Sequence, residues 1–423
     1  MKLRSIFPAL SLAVAGLLGS PAFADDDGAP DVGDTVAGKP AGIPPVQADA
    51  SEHVDPAFQA TLSTLEGRPL PAIALLGGKQ LQTDPAFVDQ CQQGIELIFR
   101  RDYAGARARF GQLAARSPGT GVGPVGDLLV WQALMLENFD FRFEGQYQTA
   151  LRQSRTELEL AISMPGNAAW EHFLLAGVLG IDSIHMMRKE EWGKALNRGY
   201  EAMKVVARVK EFAPEFVDVQ IGDGLFNYWI TVVARTTKAI PDLGDKRELG
   251  ISQMKAVEAK SIFLRPAATL ALTYTWIEEG RMKDALVSAQ RNQQRYPDNV
   301  INNLVLGRVY MYNRMYPESE ATYKKVLSTD PKNQRVHYYL GRLHLRTQRH
   351  DDALAAFSRY LGFPDLGAYD RATALYYKGT ILQRKQDWAG AQAAYGESWK
   401  VGKLDKAKKR LDELPAAKAK AAG

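Results

Sequence analysis

From about residue 57 onward, apolar side chains recur at three- and four-residue spacing almost to the end of the chain, with hardly any alternating strand-like runs. Proline and glycine interrupt the pattern at Ser117-Pro118-Gly119, Pro165-Gly166, Pro214, Pro266, Pro297, Pro331 and Pro364. Proline has no amide hydrogen and disfavours helical geometry in the residue before it, so each break ends a helix. Helices of roughly ten to twenty residues joined by short turns make an all-α protein. Two N-terminal stretches depart from the pattern. Residues 25–56 are rich in Asp, Gly, Ala and Pro and too polar to bury a core, so they are expected to form a disordered acidic leader. Ahead of them, Lys2 and Arg4 precede an apolar run from Ile6 to Leu18, and Ala22 and Ala24 flank Phe23. That order predicts an export signal over residues 1–24, cleaved to leave Asp25 first. The apolar run is too short for a permanent span. No later stretch approaches 18 apolar residues, and no cysteine lies near the cleavage point to carry a lipid. The expectation is a soluble periplasmic or secreted chain with no membrane span and no lipid anchor.

The breaks are periodic. Pro297 and Pro331 lie 34 residues apart, as do Ala285, Ser319 and Ala353, and as do Gly307 and Gly341. Gly307, Gly341 and Gly379 each precede a small residue (Ser319, Ala353, Ala391) by 12, and an aromatic (Tyr323, Phe357, Tyr395) follows four later. The same cadence recurs upstream in Gly94, Ala106, Phe110 and Pro118. Composition alone would give roughly 0.16 complete Gly–aromatic–Pro triplets at these offsets, and two are present, Gly94/Phe110/Pro118 and Gly307/Tyr323/Pro331. This resembles the tetratricopeptide repeat, which implies an α-solenoid of stacked helix hairpins. Each hairpin then covers the apolar face of its neighbour. The glycines are expected to face Ser319 and Ala353 across each hairpin, with the aromatics filling the space toward the next repeat.

The signature divides the chain into an N-terminal repeat-like region, 57–265, with a clear repeat at 87–120, and a C-terminal array, 266–403. Residues 404–423 are expected to be a capping helix with a basic tail. Between 125 and 265 the spacing lengthens, which suggests helix pairs at 125–165, 168–214 and 216–265. The phrases Gly222–Tyr228 and Pro241–Lys246 there resemble exported bacterial tetratricopeptide proteins with elongated central hairpins.

Composition narrows the chemistry. Lys and Arg number 53 against 48 Asp and Glu, a net +5, too mild to point to nucleic acid. One cysteine, Cys91, excludes an internal disulfide framework and any thiolate metal cluster, and its apolar neighbours make it a buried thiol. The histidines form no two-histidine zinc helix motif; His337 and His344 share a helix without further ligands. Gly77-Gly78-Lys79 lacks the rest of a phosphate loop. Gly121–Gly126 matches a dinucleotide fingerprint by letter, but Pro124 sits inside it and no strand precedes it, so it is expected to be a helix–helix loop. No nucleophile elbow is present. No catalytic residue, cofactor or metal site is expected, and the chain is read as a non-enzyme.

In the resembled family the first helix of each hairpin lines a concave groove. Carried onto this sequence, that stripe holds Tyr274, Arg308, Tyr312, Arg335, Tyr338, Arg342, Arg346, Tyr376 and Arg384. Arginines interleaved with tyrosines suit carboxylates, through bidentate bonds and stacking, and both residue types carry binding energy at protein interfaces. The arginines are expected to be a solvated strip, with a protein or acidic peptide as partner. The family's Lys/Asn carboxylate clamp is not recognisable. The sequence therefore reads as an exported scaffold or adaptor of a bacterial cell envelope. The alternative is a glycan-binding or accessory protein in polysaccharide or peptidoglycan export, served by a subset of exposed tryptophans.

Overall fold

The computed structural model describes residues 64–65, 68–165, 168–236 and 244–422. The expected signal and the expected leader therefore lie outside the described residues. Apart from a two-residue antiparallel ladder, Thr64–Leu65 with Arg68–Pro69, and one 3-10 turn at Val217–Val219, the regular structure there is helical. Among the described residues eighteen helices follow one another as hairpins, and the fold is an all-α array of the solenoid kind.

The described residues form two compact units, one of residues 64–133 and 143–296, the other of 134–142 and 297–422. In the first are α1 (Ala72–Leu81), α2 (Pro85–Phe99), α3 (Tyr103–Arg116) and most of α4 (Val122–Asn138). They are followed by α5 (Glu144–Ser163), α6 (Ala169–Arg188), α7 (Trp192–Phe212), α8 (Gln220–Thr236), α9 (Arg247–Lys260), α10 (Arg265–Glu278) and α11 (Met282–Arg295). Local chemistry sets the ends. Asp84 and Asp102 cap α2 and α3 by accepting from Ala86 N and Gly105 N. Ser117, Ala213 and Tyr296 each precede a proline and leave the helix with ψ near 70° (69°, 69° and 71°).

This unit closes on itself. The Gln92 amide donates to Ile262 O at 2.8 Å, Arg295 bonds to Glu96, and the Tyr296 hydroxyl donates to the same carboxylate at 2.7 Å. Its interior is an aromatic cluster: Phe263 lies against Trp170, Phe173 and Phe216, and Phe87 meets Trp170 edge-on at 5.0 Å. The turn carrying Phe263 is held by the buried Asp218 carboxylate, which accepts from the amides of Ile262, Phe263 and Leu264 at 2.8–3.0 Å. The α8 and α9 helices cross backbone to backbone at Gly224 and Gly250, where a Cβ on Gly250 would stand 2.6 Å from Gly224 O.

In the second unit are α12 (Val300–Tyr312), α13 (Tyr316–Thr329), α14 (Gln334–Arg346), α15 (His350–Leu361), α16 (Ala368–Arg384), α17 (Trp388–Gly402) and α18 (Asp405–Ala422). Each repeat glycine faces the aromatic of its own hairpin: a Cβ on Gly307, Gly341 or Gly379 would meet the ring of Tyr323, Phe357 or Tyr395 at 2.5–2.8 Å. The ring also stacks on the next hairpin, Tyr323 on Tyr339 at 5.6 Å and Phe357 on Tyr377 at 5.4 Å. The aromatics thus do two jobs where the sequence suggested one. Ser319 does meet Gly307, its hydroxyl donating to the glycine carbonyl at 2.7 Å. The helix α18 covers the end of the stack, burying Leu404, Ala407 and Leu414 with Ala372, Ala391 and Tyr395.

The loop expected over Gly121–Gly126 needs correction. Only Gly121 lies in the turn ahead of α4, with φ at +72° and Leu158 2.4 Å from where a Cβ would stand. Gly126 is not in a loop at all; it lies in α4, pressed against the ring of Phe110, whose far edge faces Gly94.

Candidate partner-binding surface

Arginines on the first helices of the second unit are held by tyrosine rings. On α12, Arg308 lies over the Tyr312 ring at 5.6 Å and its Nε donates to the Tyr312 hydroxyl at 3.3 Å. Arg346, one hairpin later on α14, lies over the same ring at 5.5 Å. Arg342 sits between Tyr338 and Tyr377, at 6.0 and 5.7 Å. The series continues into α18, where the Lys406 ammonium lies 5.5 Å from Tyr377 and 4.8 Å from Tyr376, and Arg410 interacts electrostatically with Tyr376. Cations and tyrosine rings therefore alternate from α12 to α18. Ring faces carry negative charge density, so each cation gains electrostatic stabilisation from an uncharged group.

The depth of these groups differs from the expected solvated strip. Arg308, Arg335 and Arg342 are only 3%, 2% and 3% exposed. Arg346 and Tyr312 are half-buried, Tyr338 is buried, and Arg384 is exposed. A guanidinium is weakly hydrated and planar, so it can be buried flat against rings where a lysine could not. Arg335 shows the extreme. It stacks on Phe139 at 4.1 Å, lies near Tyr338 and Tyr339, and its Nη1 reaches the Tyr360 hydroxyl at 3.3 Å and Asp370 at 3.4 Å. Burial works to lower its pKa, but Asp370 and the surrounding tyrosines outweigh that and the net shift is upward.

Phe139 comes from far away in sequence. The segment 134–142 is held in the second unit by Asn333, whose amide donates to Glu137 O at 2.8 Å, and by Gln334, which donates to Asn138 O at 2.7 Å. Asn138 in turn donates to Asp330 at 2.9 Å. Arg335 thus already has a ligand from this chain, an aromatic ring at the end of α4. Tyr274 belongs to the first unit, buried on α10, and is not part of this series. The structure adds Phe139, Tyr360, Asp370, Tyr377, Lys406 and Arg410. Tyr377 and Tyr360 were legible as apolar-stripe positions; the roles of Lys406 and Arg410 are masked in sequence by the Lys/Ala-rich composition of α18.

Elsewhere, Trp170, Trp229 and Trp276 are buried and offer no face to a sugar. Cys91 is buried, and desolvation raises its thiol pKa far above the ordinary range. Among the described residues there is no cluster of three or more His, Cys, Asp or Glu that could hold a metal ion. No helix among them is long and apolar enough to cross a membrane.

Residues 304–370, which contain most of this series, match the tetratricopeptide repeat family. That segment carries the repeat signature of the family. No curated protein matches the sequence. Among solved structures, the APC/C hetero-tetramer Cut9–Hcn1 is 12% identical, with 81% of this chain and 75% of that chain covered and a TM-score of 0.44. The P58(IPK) TPR domain is 12% identical over 79% of this chain and 99% of that one, with a TM-score of 0.26. Naa15/Naa10 bound to HypK-THB is 14% identical over 83% and 66%, with a TM-score of 0.28. Scores of that size carry no functional argument.

Proposed function

We propose that this tetratricopeptide-repeat chain is a non-catalytic adaptor. Its second unit grips an acidic, extended segment of a protein partner, after export to a bacterial cell envelope. The observation that carries the binding part is the alternation of cations and tyrosine rings from Arg308 to Lys406. Rings hold the charged groups in fixed positions, so a carboxylate meets donors that are already oriented and loses little entropy in ordering them. Stacking repeats present such groups in line, which suits an extended ligand. Proteins of this repeat family are generally scaffolds, which supports the non-enzymatic reading. Export rests on the basic, apolar and small-residue order of residues 1–24.

The test uses Arg346, half-buried over the Tyr312 ring, and the exposed Arg384 on α16. Arg346→Glu with Arg384→Glu should weaken a poly-glutamate peptide at least tenfold in calorimetry at low salt, and the binding of the native chain should fade as salt rises. Unchanged affinity beside an unchanged melting curve would place the partner elsewhere. For the address, mass spectrometry of protein from an envelope fraction should find Asp25 as the first residue; an intact Met1 would remove the export claim.

A further inference from the structure

The first unit gathers arginines of its own, separate from the tyrosine series. A cleft of about 480 Å³ is lined by Gln93, Glu96 and Leu97 of α2, Arg100 just beyond it, Arg109 of α3 and Arg295 of α11. Arg100 lies 3.7 Å from Glu96, and Arg295 bonds to the same carboxylate, which also accepts from the Tyr296 hydroxyl. Arg109 is half-buried and meets no acid among the described residues; its guanidinium donates to the side-chain carbonyl of the buried Gln90. Arg107, Arg155 and Arg291 show the ordinary arrangement, each with a carboxylate of its own at 2.7–3.0 Å. In the cleft three guanidiniums share one carboxylate, a surplus of two positive charges. The Glu96–Arg295 pair also lines a smaller adjoining chamber of about 100 Å³, whose walls include Ile73, Ile95, Ile262 and Phe263.

We propose that this cleft binds a phosphate monoester, with the phosphate among Arg100, Arg109 and Arg295 and a small apolar group turned toward the adjoining chamber. A phosphate dianion matches the surplus charge and presents three acceptor oxygens at one centre. Each of three guanidiniums can then reach an oxygen, whereas a carboxylate offers two oxygens and one charge. Arginine suits the task better than lysine, because its planar fork fixes two bonds in one orientation. Gln90 holds Arg109 and Glu96 holds Arg295 before a ligand arrives, so little side-chain freedom is left to lose on binding. Every lining residue belongs to the first unit, and the site is independent of the acid-binding surface proposed above.

Phosphorus NMR of phenyl phosphate, titrated with the full chain at low salt and about pH 7.5, where the phosphate is dianionic, reads the site directly. The signal should broaden saturably, with a Kd on the order of 0.1–1 mM. Arg109→Gln and Arg100→Gln should each weaken binding about tenfold, by loss of a charge-assisted bond. Glu96→Gln should act in the opposite direction. It removes the cleft's negative charge and keeps a carbonyl oxygen for Arg295 and Tyr296, so binding should tighten several-fold. Arg346→Glu with Arg384→Glu, in the second unit, should change nothing. Inorganic phosphate should bind several-fold more weakly than its phenyl ester, and succinate at least about tenfold more weakly, because its two charges sit on separate carboxylates.

Circular-dichroism melts show which variants are folded; Arg100, being exposed, keeps the test alive if Arg109→Gln unfolds. Absence of saturable binding overturns the proposal. So does binding that the folded arginine variants and Glu96→Gln leave unchanged, or that only the second-unit pair abolishes. Succinate binding as tightly as phenyl phosphate overturns the assignment to phosphate, and inorganic phosphate binding as tightly as its ester overturns the role given to the apolar chamber.

Discussion

Replacing Gly250 by alanine tests the close crossing of α8 and α9. A Cβ on Gly250 would stand 2.6 Å from Gly224 O, 2.7 Å from Tyr228 N and 2.9 Å from Tyr228 Cβ. Two of these three atoms are backbone, so no rotamer change relieves the overlap and the helices must separate by about 0.8 Å to reach ordinary contact near ~3.4 Å. Tyr228 cannot swing aside either, since it is fully buried and its hydroxyl donates to Glu279 at 2.9 Å. Overpacking of this kind costs about 1–3 kcal/mol, and a backbone clash belongs at the upper end. Alanine in place of glycine restores about 1 kcal/mol of helix propensity. The net expectation is a loss of about 2 kcal/mol. Gly177 on α6 is the control: it is exposed, with nothing within 4 Å of an added Cβ, so Gly177→Ala should gain about 0.5–1 kcal/mol. Urea unfolding followed by circular dichroism at 222 nm reads both. If Gly250→Ala is neutral or stabilising, the crossing is not as close as described and the reasoning fails.

Arg335→Ala should destabilise by about 3–5 kcal/mol because a fully buried guanidinium is removed from between the Phe139 ring and the half-buried Asp370, while the exposed Arg384→Ala should stay within about 0.5 kcal/mol; equal melts would refute the buried role. His185 is stacked on Tyr147 and bonded to Glu144, and burial lowers its pKa from 6.5 to about 4. As pH falls from 6.5 to 4 the unfolded chain takes up a proton that the folded one refuses, so stability on the order of 3 kcal/mol is lost across that window. In His185→Phe, with Lys189 still paired to Glu144, the melting temperature should fall less steeply over the same range, and an identical slope would exclude His185 as the cause. Gln348 holds φ at +59° in the α14–α15 turn, so Gln348→Gly should raise stability by about 0.5–1 kcal/mol, and a lowered melting temperature would show the turn to be unstrained.

The C-terminal hairpins were legible because glycine and aromatic answer each other at a fixed offset. Gly341 admits the Phe357 ring, and no other residue could stand there without moving it. The nature of that contact was less legible, since spacing shows which residues share a face but not how far across it they reach. Arginine burial was hidden for a different reason. A guanidinium counts as polar in any hydropathy pattern, and only the rings that surround Arg335 and Arg342 in space make their depth tolerable. The docking of Phe139 and the Gly224–Gly250 crossing depend on partners that periodicity along one helix cannot name. Asp218 carried no signal either: a lone aspartate between two valines gives no hint that it will collect three amides from residues 262–264.

The closure of the first unit has a consequence for how this chain reaches its native state. Glu96 waits for Arg295 and Tyr296, 199 and 200 positions later, before its carboxylate is satisfied. Gln92 waits 170 positions for Ile262. Contacts of such separation must first overcome the entropy of closing a long loop, and they slow folding. A chain that emerges N-terminus first therefore holds Phe87 without its Trp170 contact until α6 arrives, and Gln92 and Glu96 without these partners until residues 262–296 arrive. The second unit's hairpins, by contrast, close within about 34 residues of one another and can form as they appear. The slow phase of refolding should belong to the first unit, and during it that unit is the part open to aggregation and to holding chaperones.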